Sequence, residues 1–187
     1  MVRNPERRTA LADAGIRVLA RDGARGLTHR ALDDEAGVPR GTASNYFRSR
    51  ADIVAALMAR LTERLTPDPA VARELAARPP SRELFADYLR DIVRRLTADR
   101  DAAVCLFELR LEGIRRPEIA EVVARWQREA FAADVAFNAA AGLPGGRRVI
   151  VLFHYALDGL LLDRLTTPLE PDLDPGAAMD ALVDGLL

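Results

Sequence analysis

The sequence predicts an all-α protein, and three observations support that prediction. Apolar residues recur at i, i+3, i+4 and i+7 along most of the chain, which is the spacing of one helix face. Glycine is sparse, with 12 among 187 residues. No stretch shows the alternation of apolar and polar residues that is typical of a strand. From this pattern we expect about nine helices.

The first 50 residues predict one longer helix followed by two short ones. Arg7–Arg21 carries a single apolar face and forms the first helix. Thr28 is expected to cap the second helix, which ends near Ala36, and Gly37 then supplies a tight turn. The third helix covers about Arg40–Tyr46. The phenylalanine after it, Phe47, is expected to anchor this helix in the core.

The rest of the chain predicts further helices. Ser49 and Asp52 have the spacing of a capping box and start a fourth helix over 51–65. Five more helices are expected at 81–97, 101–114, 117–141, 147–165 and 175–187, while 70–78 is left open between a short helix and a loop. We therefore divide the chain into a domain at 1–50, a connecting helix at 51–65 and a second domain at 66–187.

Charge is distributed unevenly along the chain. Residues 1–50 hold 10 arginines against 6 acidic residues, a net charge of +4, whereas residues 51–187 carry a net charge of −5. A basic module on an acidic body is typical of a nucleic-acid-binding head joined to a core that does not bind nucleic acid. The charge asymmetry therefore favours nucleic-acid binding by the first domain and not by the second.

Several other classes of protein are disfavoured. The longest apolar run, Val149–Leu162, contains His154 and Asp158 and is too short to span a bilayer, and no secretion signal is present, so we expect a cytoplasmic protein without a membrane partner. The single cysteine, Cys105, is expected to be a packing residue. With two histidines and neither a phosphate loop nor a zinc spacing, the sequence predicts no enzyme, catalytic residue, metal or cofactor.

Two short helices joined at Gly37, the second of them polar, are the pattern of a helix-turn-helix that reads double-stranded DNA. The same pattern also occurs in proteins that do not bind DNA. The N-terminal position and the positive charge favour the DNA-binding interpretation. The residues expected to contact DNA are Thr28, His29, Arg30, Arg40, Gly41, Thr42, Ser44, Asn45, Tyr46 and Arg50.

These residue types suit different parts of a duplex. Arg40 can meet a guanine edge with two hydrogen bonds or a single phosphate. Thr42, Ser44 and Asn45 have the reach and polarity for base edges or phosphates. Gly41 lets the backbone approach the DNA. Tyr46 and Arg50 are expected at phosphates, as are the residues that open the second helix, where backbone N–H groups favour an anion.

The N-terminal motifs resemble those of the tetracycline-repressor (TetR) family of bacterial transcriptional regulators, over about residues 5–65. Three positions depart from the family pattern: Pro39 replaces a capping serine, Ser44 replaces a phosphate-contacting tyrosine, and Arg50 replaces a lysine. The motifs that carry the resemblance are Gly26-Leu27-Thr28, Ala36-Gly37-Val38-Pro39-Arg40-Gly41-Thr42 and Asn45-Tyr46-Phe47-Arg48-Ser49-Arg50.

The resemblance implies a homodimer on a near-palindromic operator, with half-sites about 34–36 Å apart. In this family the last two helices usually form the dimer bundle. The apolar run Val149–Leu162 favours this interpretation, and ordinary core packing is its alternative. The residues expected at the interface are Val151, Tyr155, Asp158, Leu162, Met179, Leu182, Val183 and Leu186.

The resemblance further implies a small-molecule effector that binds the second domain and releases the operator. The candidate ligand-binding residues are Tyr88, Phe107, Trp126, Gln127, Phe131 and His154. Each can also be read as a core residue. The sequence leaves open the identity of the effector, the operator, and the choice between repressor and activator. A redox or metal sensor using Cys105 or His154 and a ligand-independent regulator are the alternatives.

Overall fold

The computed structural model describes residues 4–187 and confirms the all-α class. In that part of the chain there are ten helices and no strand. The tenth arises because Pro69–Ala76, left open from sequence, is helical. The helices are α1 Pro5–Gly26, α2 His29–Glu35, α3 Thr42–Tyr46, α4 Arg50–Arg64, α5 Pro69–Ala76, α6 Arg82–Ala98, α7 Arg100–Arg115, α8 Pro117–Ala140, α9 Gly146–Leu165 and α10 Pro175–Leu186.

The helices form two compact units. The first unit comprises the chain through Leu65 together with Asp101–Gln127, and the second comprises Thr66–Arg100 together with Arg128–Leu187. The helix-turn-helix segment therefore shares its unit with most of α7 and the first half of α8. Our sequence-based division at residues 50 and 66 stays a prediction.

Helix α1 is longer than the predicted Arg7–Arg21. The Asn4 side chain caps it by accepting from the N–H of Glu6 at 2.9 Å. Near the other end, Gly23 interrupts the helical backbone with φ 67° and ψ −174°. The last three residues therefore form a separate turn beyond this kink, and the regular part of the helix ends close to the predicted Arg21.

The core of the first unit confirms two local predictions, for Phe47 and for Cys105. Leu27 and Leu32, which flank the Thr28 cap, are buried in the same core, as in a hydrophobic staple. Phe47 is fully buried and anchors the end of α3. Cys105 is fully buried in the same cluster, which is where a packing cysteine should lie.

The capping box of α4 is present as predicted. Ser49 Oγ accepts from the N–H of Asp52 at 3.0 Å, and Asp52 Oδ2 accepts from the N–H of Ser49 at 3.2 Å. The carboxylate also lies at the positive end of the helix dipole. These contacts fix the direction in which the chain leaves α3.

The second unit packs around α6, α9 and α10. Phe85 of α6 lies against Phe153 of α9 with ring centroids 5.2 Å apart, and Met179 of α10 is buried beside them. Arg90 of α6 also pairs with Asp180 of α10 at 2.8 Å. Among the described residues, no helix is both long and apolar enough to cross a bilayer.

Candidate DNA-binding surface

The turn between α2 and α3 differs from the predicted geometry. Helix α3 begins at Thr42 rather than Arg40, because the chain first turns at Pro39, where the carbonyl oxygen accepts from the N–H of Thr42 at 3.1 Å. Gly41 precedes the helix with φ 87°, a left-handed conformation that favours glycine. Pro39 and Arg40 therefore lie in the turn and present their side chains to solvent.

A buried carboxylate organises this turn, and sequence reasoning did not single it out. Asp33 of α2 is 1% exposed. Its Oδ2 accepts from the N–H of Gly41 at 2.7 Å, and its Oδ1 accepts from the N–H of Ala43 at 2.6 Å. The only available signal was an acidic residue next to Leu32 on the inward face of a short helix.

Helix α3 turns one face into the core and the other to solvent. Ala43 is fully buried, whereas Ser44 and Asn45 are exposed and Thr42 and Tyr46 are half-buried. The Thr42 and Ser44 hydroxyls donate to backbone carbonyls three residues earlier, of Pro39 at 2.5 Å and of Gly41 at 2.9 Å. In this arrangement both hydroxyls have lone pairs to offer to amino groups on base edges.

The start of α2 is held by internal contacts. Thr28 Oγ1 accepts from the N–H of Ala31 at 3.1 Å, so the predicted cap is present. His29 Nε2 lies 2.8 Å from the carbonyl oxygen of Phe47, which requires the proton on that nitrogen. Arg30 is exposed and 3.6 Å from Asp34, an i,i+4 pair. Of these three side chains only that of Arg30 carries a permanent positive charge, and it is 72% exposed.

Arg50 points into the protein. Its guanidinium donates to the carbonyl oxygens of Ala24 and of Leu27, the latter at 3.0 Å, and lies 3.6 Å from the carboxylate of Glu112. The reason is that Arg50 opens α4 directly beside the end of α1, where unpaired carbonyls attract a donor. The phosphate contact expected from sequence therefore needs this side chain to leave its partners.

A basic cleft lies beside α3 and includes residues that the sequence did not suggest. It has a volume of about 450 Å³ and is lined by Arg8, Tyr46, Arg48, Asp52 and Ala55. The Arg8 guanidinium sits 5.0 Å from the centre of the Phe47 ring. Arg8 was missed because it lies a full helix away in sequence. The cleft combines two guanidinium groups and a phenol, which suit a phosphate, with the Asp52 carboxylate. The Asp52 carboxylate already accepts from the N–H groups of Arg48 and Ser49.

Helix α2 is also tied to α1 by an ion-pair cluster. Glu35 accepts from Arg17 Nε at 2.6 Å and from Arg21 Nη1 at 2.8 Å. These two arginines hold the pKa of Glu35 below its ordinary value, and burial opposes them only in part. The hydrogen bonds with Asp22 and Glu35 raise the pKa of Arg21. The cluster fixes α2, and with it the turn that precedes α3.

The residues predicted to bind a ligand fall in both units. Phe107, Trp126 and Gln127 belong to the first unit, where Trp126 Nε1 donates to Thr62 Oγ1 at 2.8 Å. Tyr88, Phe131 and His154 belong to the second unit. The first three therefore share a unit with α2 and α3.

In the second unit, aromatic and charged groups alternate along α8. Phe137 meets the ring of Tyr88 edge-on, with centroids 5.1 Å apart. One to two turns earlier, Phe131 meets the ring of His154 at 5.3 Å, and Asp134 Oδ2 lies 3.0 Å from His154 Nε2. Both clusters are partly exposed.

A cavity of about 120 Å³ also lies within the second unit. It is smaller than the 300 Å³ or more that a drug-sized ligand usually fills. None of the predicted ligand residues borders this cavity. Its lining is Leu96, Thr97, Arg100, Leu161, Arg164 and Leu165.

The predicted dimer residues separate into an exposed and a buried group. Tyr155 is 67% exposed and Leu162 is 49% exposed. Leu182 and Leu186 are also exposed, and Val151 and Asp158 are half-buried. Met179 and Val183 lie in the core against α6, because the inner face of α10 is needed there, so neither is offered to a partner chain. Leu152 was not predicted and joins the exposed group.

Comparison with known proteins agrees with this geometry. Residues 11–57 match the family model described as bacterial regulatory proteins, tetR family, and residues 80–187 match the model of the tetracyclin repressor-like C-terminal domain. A helix-turn-helix head and a matching C-terminal domain define the class of transcriptional regulators. The chain belongs to the TetR family. Comparison with curated proteins gives no match.

Solved structures cover nearly the whole chain. The multidrug-binding protein EbrR in complex with ethidium is 28% identical, with a TM-score of 0.69, and the match covers 99% of this chain and 100% of the EbrR chain. The TetR-family member SCO1917 from Streptomyces coelicolor A3 is 29% identical, with a TM-score of 0.68, and the match covers 98% of this chain and 99% of that one. A TetR-family regulator from Rhodococcus sp. shares the fold with a TM-score of 0.77 at 19% identity, and the match covers 98% of this chain and 99% of the other.

Proposed function

We propose that the protein is a homodimeric, cytoplasmic transcriptional repressor that binds a near-palindromic operator and leaves it when a small organic molecule binds. The observation that carries this proposal is the geometry of α3. Its inner face is locked in the core by Ala43 and Phe47, and its outer face exposes Ser44 and Asn45 beside a basic cleft.

Within this proposal the DNA contacts have two kinds. Arg40, Ser44 and Asn45 are exposed around α3 and are proposed to read base edges in the major groove, together with the half-buried Thr42. Gly41 brings the backbone near the groove. Tyr46, Arg8 and Arg48 are proposed to hold phosphates in the cleft. Thr28, His29 and Arg30 lie at the start of α2, where Arg30 is the proposed phosphate contact.

The dimer is proposed to form through α9 and α10. Their exposed apolar side chains, among them Tyr155, Leu162, Leu182 and Leu186, occupy helix faces that the second unit does not use for its own core. Large apolar groups exposed together favour association with a second copy. Two copies would set the α3 helices in successive major grooves, about 34 Å apart.

The effector is proposed to be an aromatic organic cation. Support comes from the relative EbrR, which binds ethidium, proflavin and malachite green, all of them aromatic cations. In this chain the second unit carries the Tyr88–Phe137 ring pair and the Asp134 carboxylate one turn from it. Aromatic faces and a carboxylate are the groups that recognise such a cation.

Operator binding is tested by footprinting the protein on the DNA upstream of its own gene. We expect a protected palindrome, an affinity that falls steeply with salt, and at least a thousandfold preference over random duplex. Equal affinity for both duplexes would refute the proposal.

The effector class is tested on the protein without DNA, by calorimetric titration with ethidium, because the dye also intercalates into duplexes. We expect saturable binding that Tyr88→Ala weakens. Malachite green should then release the operator from the wild-type protein and not from Tyr88→Ala on the same DNA. If no cation binds, the effector class is wrong while the operator result stands.

A further inference from the structure

Asp33 is a buried carboxylate whose charge is offset by backbone amides. Glu112 and Asp91, the other buried carboxylates of the described residues, each pair with arginines. Asp33 has no ion pair in that part of the chain, and its two oxygens accept from the N–H groups of Gly41 and Ala43 at 2.7 and 2.6 Å. Such charge-assisted bonds are stronger than neutral ones, and a buried charge without them is costly.

Helix α3 needs support from outside itself. It has five residues, too few to be stable on internal hydrogen bonds, and its first turn begins at Gly41, which has no side chain to serve as a cap. At position 39, where the TetR pattern has a serine, this chain has a proline without a hydroxyl. The serine hydroxyl that caps this helix in the TetR pattern is therefore absent from this chain.

We propose that Asp33 is the positioning residue of α3, and that its carboxylate replaces the missing cap at position 39. By binding two amides at once it fixes both the position and the tilt of α3 on α2. Asp33 touches no DNA in this account. Its role in base reading rests on the proposed DNA-binding function, but its role in ordering the turn does not.

The turn can be tested without DNA by amide hydrogen exchange of the Asp33→Asn protein. Asparagine keeps one carbonyl oxygen and cannot accept both amides. We expect the amide of Gly41 or Ala43 to exchange about tenfold faster, consistent with the loss of one buried hydrogen bond. Asp34→Asn is the matched control, because it removes the same charge from an exposed neighbour on the same helix. Unchanged protection at both amides in Asp33→Asn would overturn the proposal.

The consequence for base reading is measured as the ratio of operator to random-duplex affinity. We expect Asp33→Asn to lower this ratio about tenfold relative to Asp34→Asn, with an unchanged salt slope, because no phosphate contact is lost. Adding Pro39→Ser to Asp33→Asn should restore part of the ratio. Equal loss on both duplexes would contradict a positioning role. If the wild-type protein prefers no operator, the proposed function fails and the exchange experiment still decides the role of Asp33.

Discussion

The guanidinium of Arg50 lies 3.6 Å from the carboxylate of Glu112, so the first residue of α4 is bonded to α7 within the first unit. The same guanidinium donates to carbonyl oxygens of Ala24 and Leu27 at the end of α1. Arg50 therefore joins three helices. This position holds a lysine in the TetR pattern, and a phosphate contact is what the sequence predicts for it.

The two roles of Arg50 lead to different results for Arg50→Gln. If the side chain is an internal tie, the free energy of unfolding falls by about 1–3 kcal/mol, because buried acceptors lose a charged donor. The salt slope of operator binding then stays unchanged. Urea denaturation and binding at several salt concentrations measure the two quantities.

The matched control for Arg50 is Arg48→Gln, two residues earlier in the exposed cleft. Here we expect unchanged stability and a salt slope smaller by about 0.9, as the loss of one phosphate contact gives. The reverse pattern, with the slope lost in Arg50→Gln and stability retained, would restore the prediction made from sequence.

Arg40→Ala tests base reading. Arg40 is exposed in the turn before α3, and a bidentate contact to guanine would make it specific for one base pair. We expect a loss of about 1–3 kcal/mol confined to one operator position, measured on a set of single-base operator variants. Arg128→Ala, an exposed arginine of the second unit, should change nothing. Uniform weakening over all variants would make Arg40 a phosphate contact.

Local signals in the sequence predicted the parts of the fold that local chemistry determines. The Thr28 cap and the Ser49–Asp52 capping box involve residues at most three positions apart, and both are present. Phe47 is buried as expected, since a large aromatic residue after a short polar helix has few other places to go.

The features that the sequence did not predict involve partners far apart in sequence. The start of α3 depends on Asp33, eight to ten residues away, and the direction of Arg50 depends on carbonyls of α1. The periodicity of α10 marks an apolar face but does not tell whether α6 or a second chain covers it. Met179 and Val183 are therefore in the core, although their pattern equally suits a dimer contact.

The proposed dimer face is tested by Leu162→Glu. Leu162 of α9 is 49% exposed, and a carboxylate there would have to be buried in the dimer without a partner. We expect the dissociation constant of the dimer to rise at least tenfold by sedimentation velocity, and operator affinity to fall with it. Leu111→Glu is the control, because Leu111 of α7 is also 49% exposed but belongs to the first unit. A dimer unaffected by Leu162→Glu would exclude this face.

Glu35→Gln tests the link between α1 and α2 through its pH dependence. Arg17 and Arg21 lower the pKa of Glu35 in the folded protein from its ordinary value of 4.5. A lowered pKa means that the carboxylate stabilises the fold fully above pH 4.5 and loses this effect as the pH falls through the folded-state pKa. Because the two arginines are 44% and 58% exposed, the contribution at pH 7 is at most about 1 kcal/mol. We expect Glu35→Gln to be less stable than the wild type at pH 7 and equal to it near pH 2, in urea denaturation at each pH.

In the Arg17→Gln, Arg21→Gln background the same Glu35→Gln substitution should have no effect on stability. A constant difference at every pH would show that Glu35 acts through packing rather than charge.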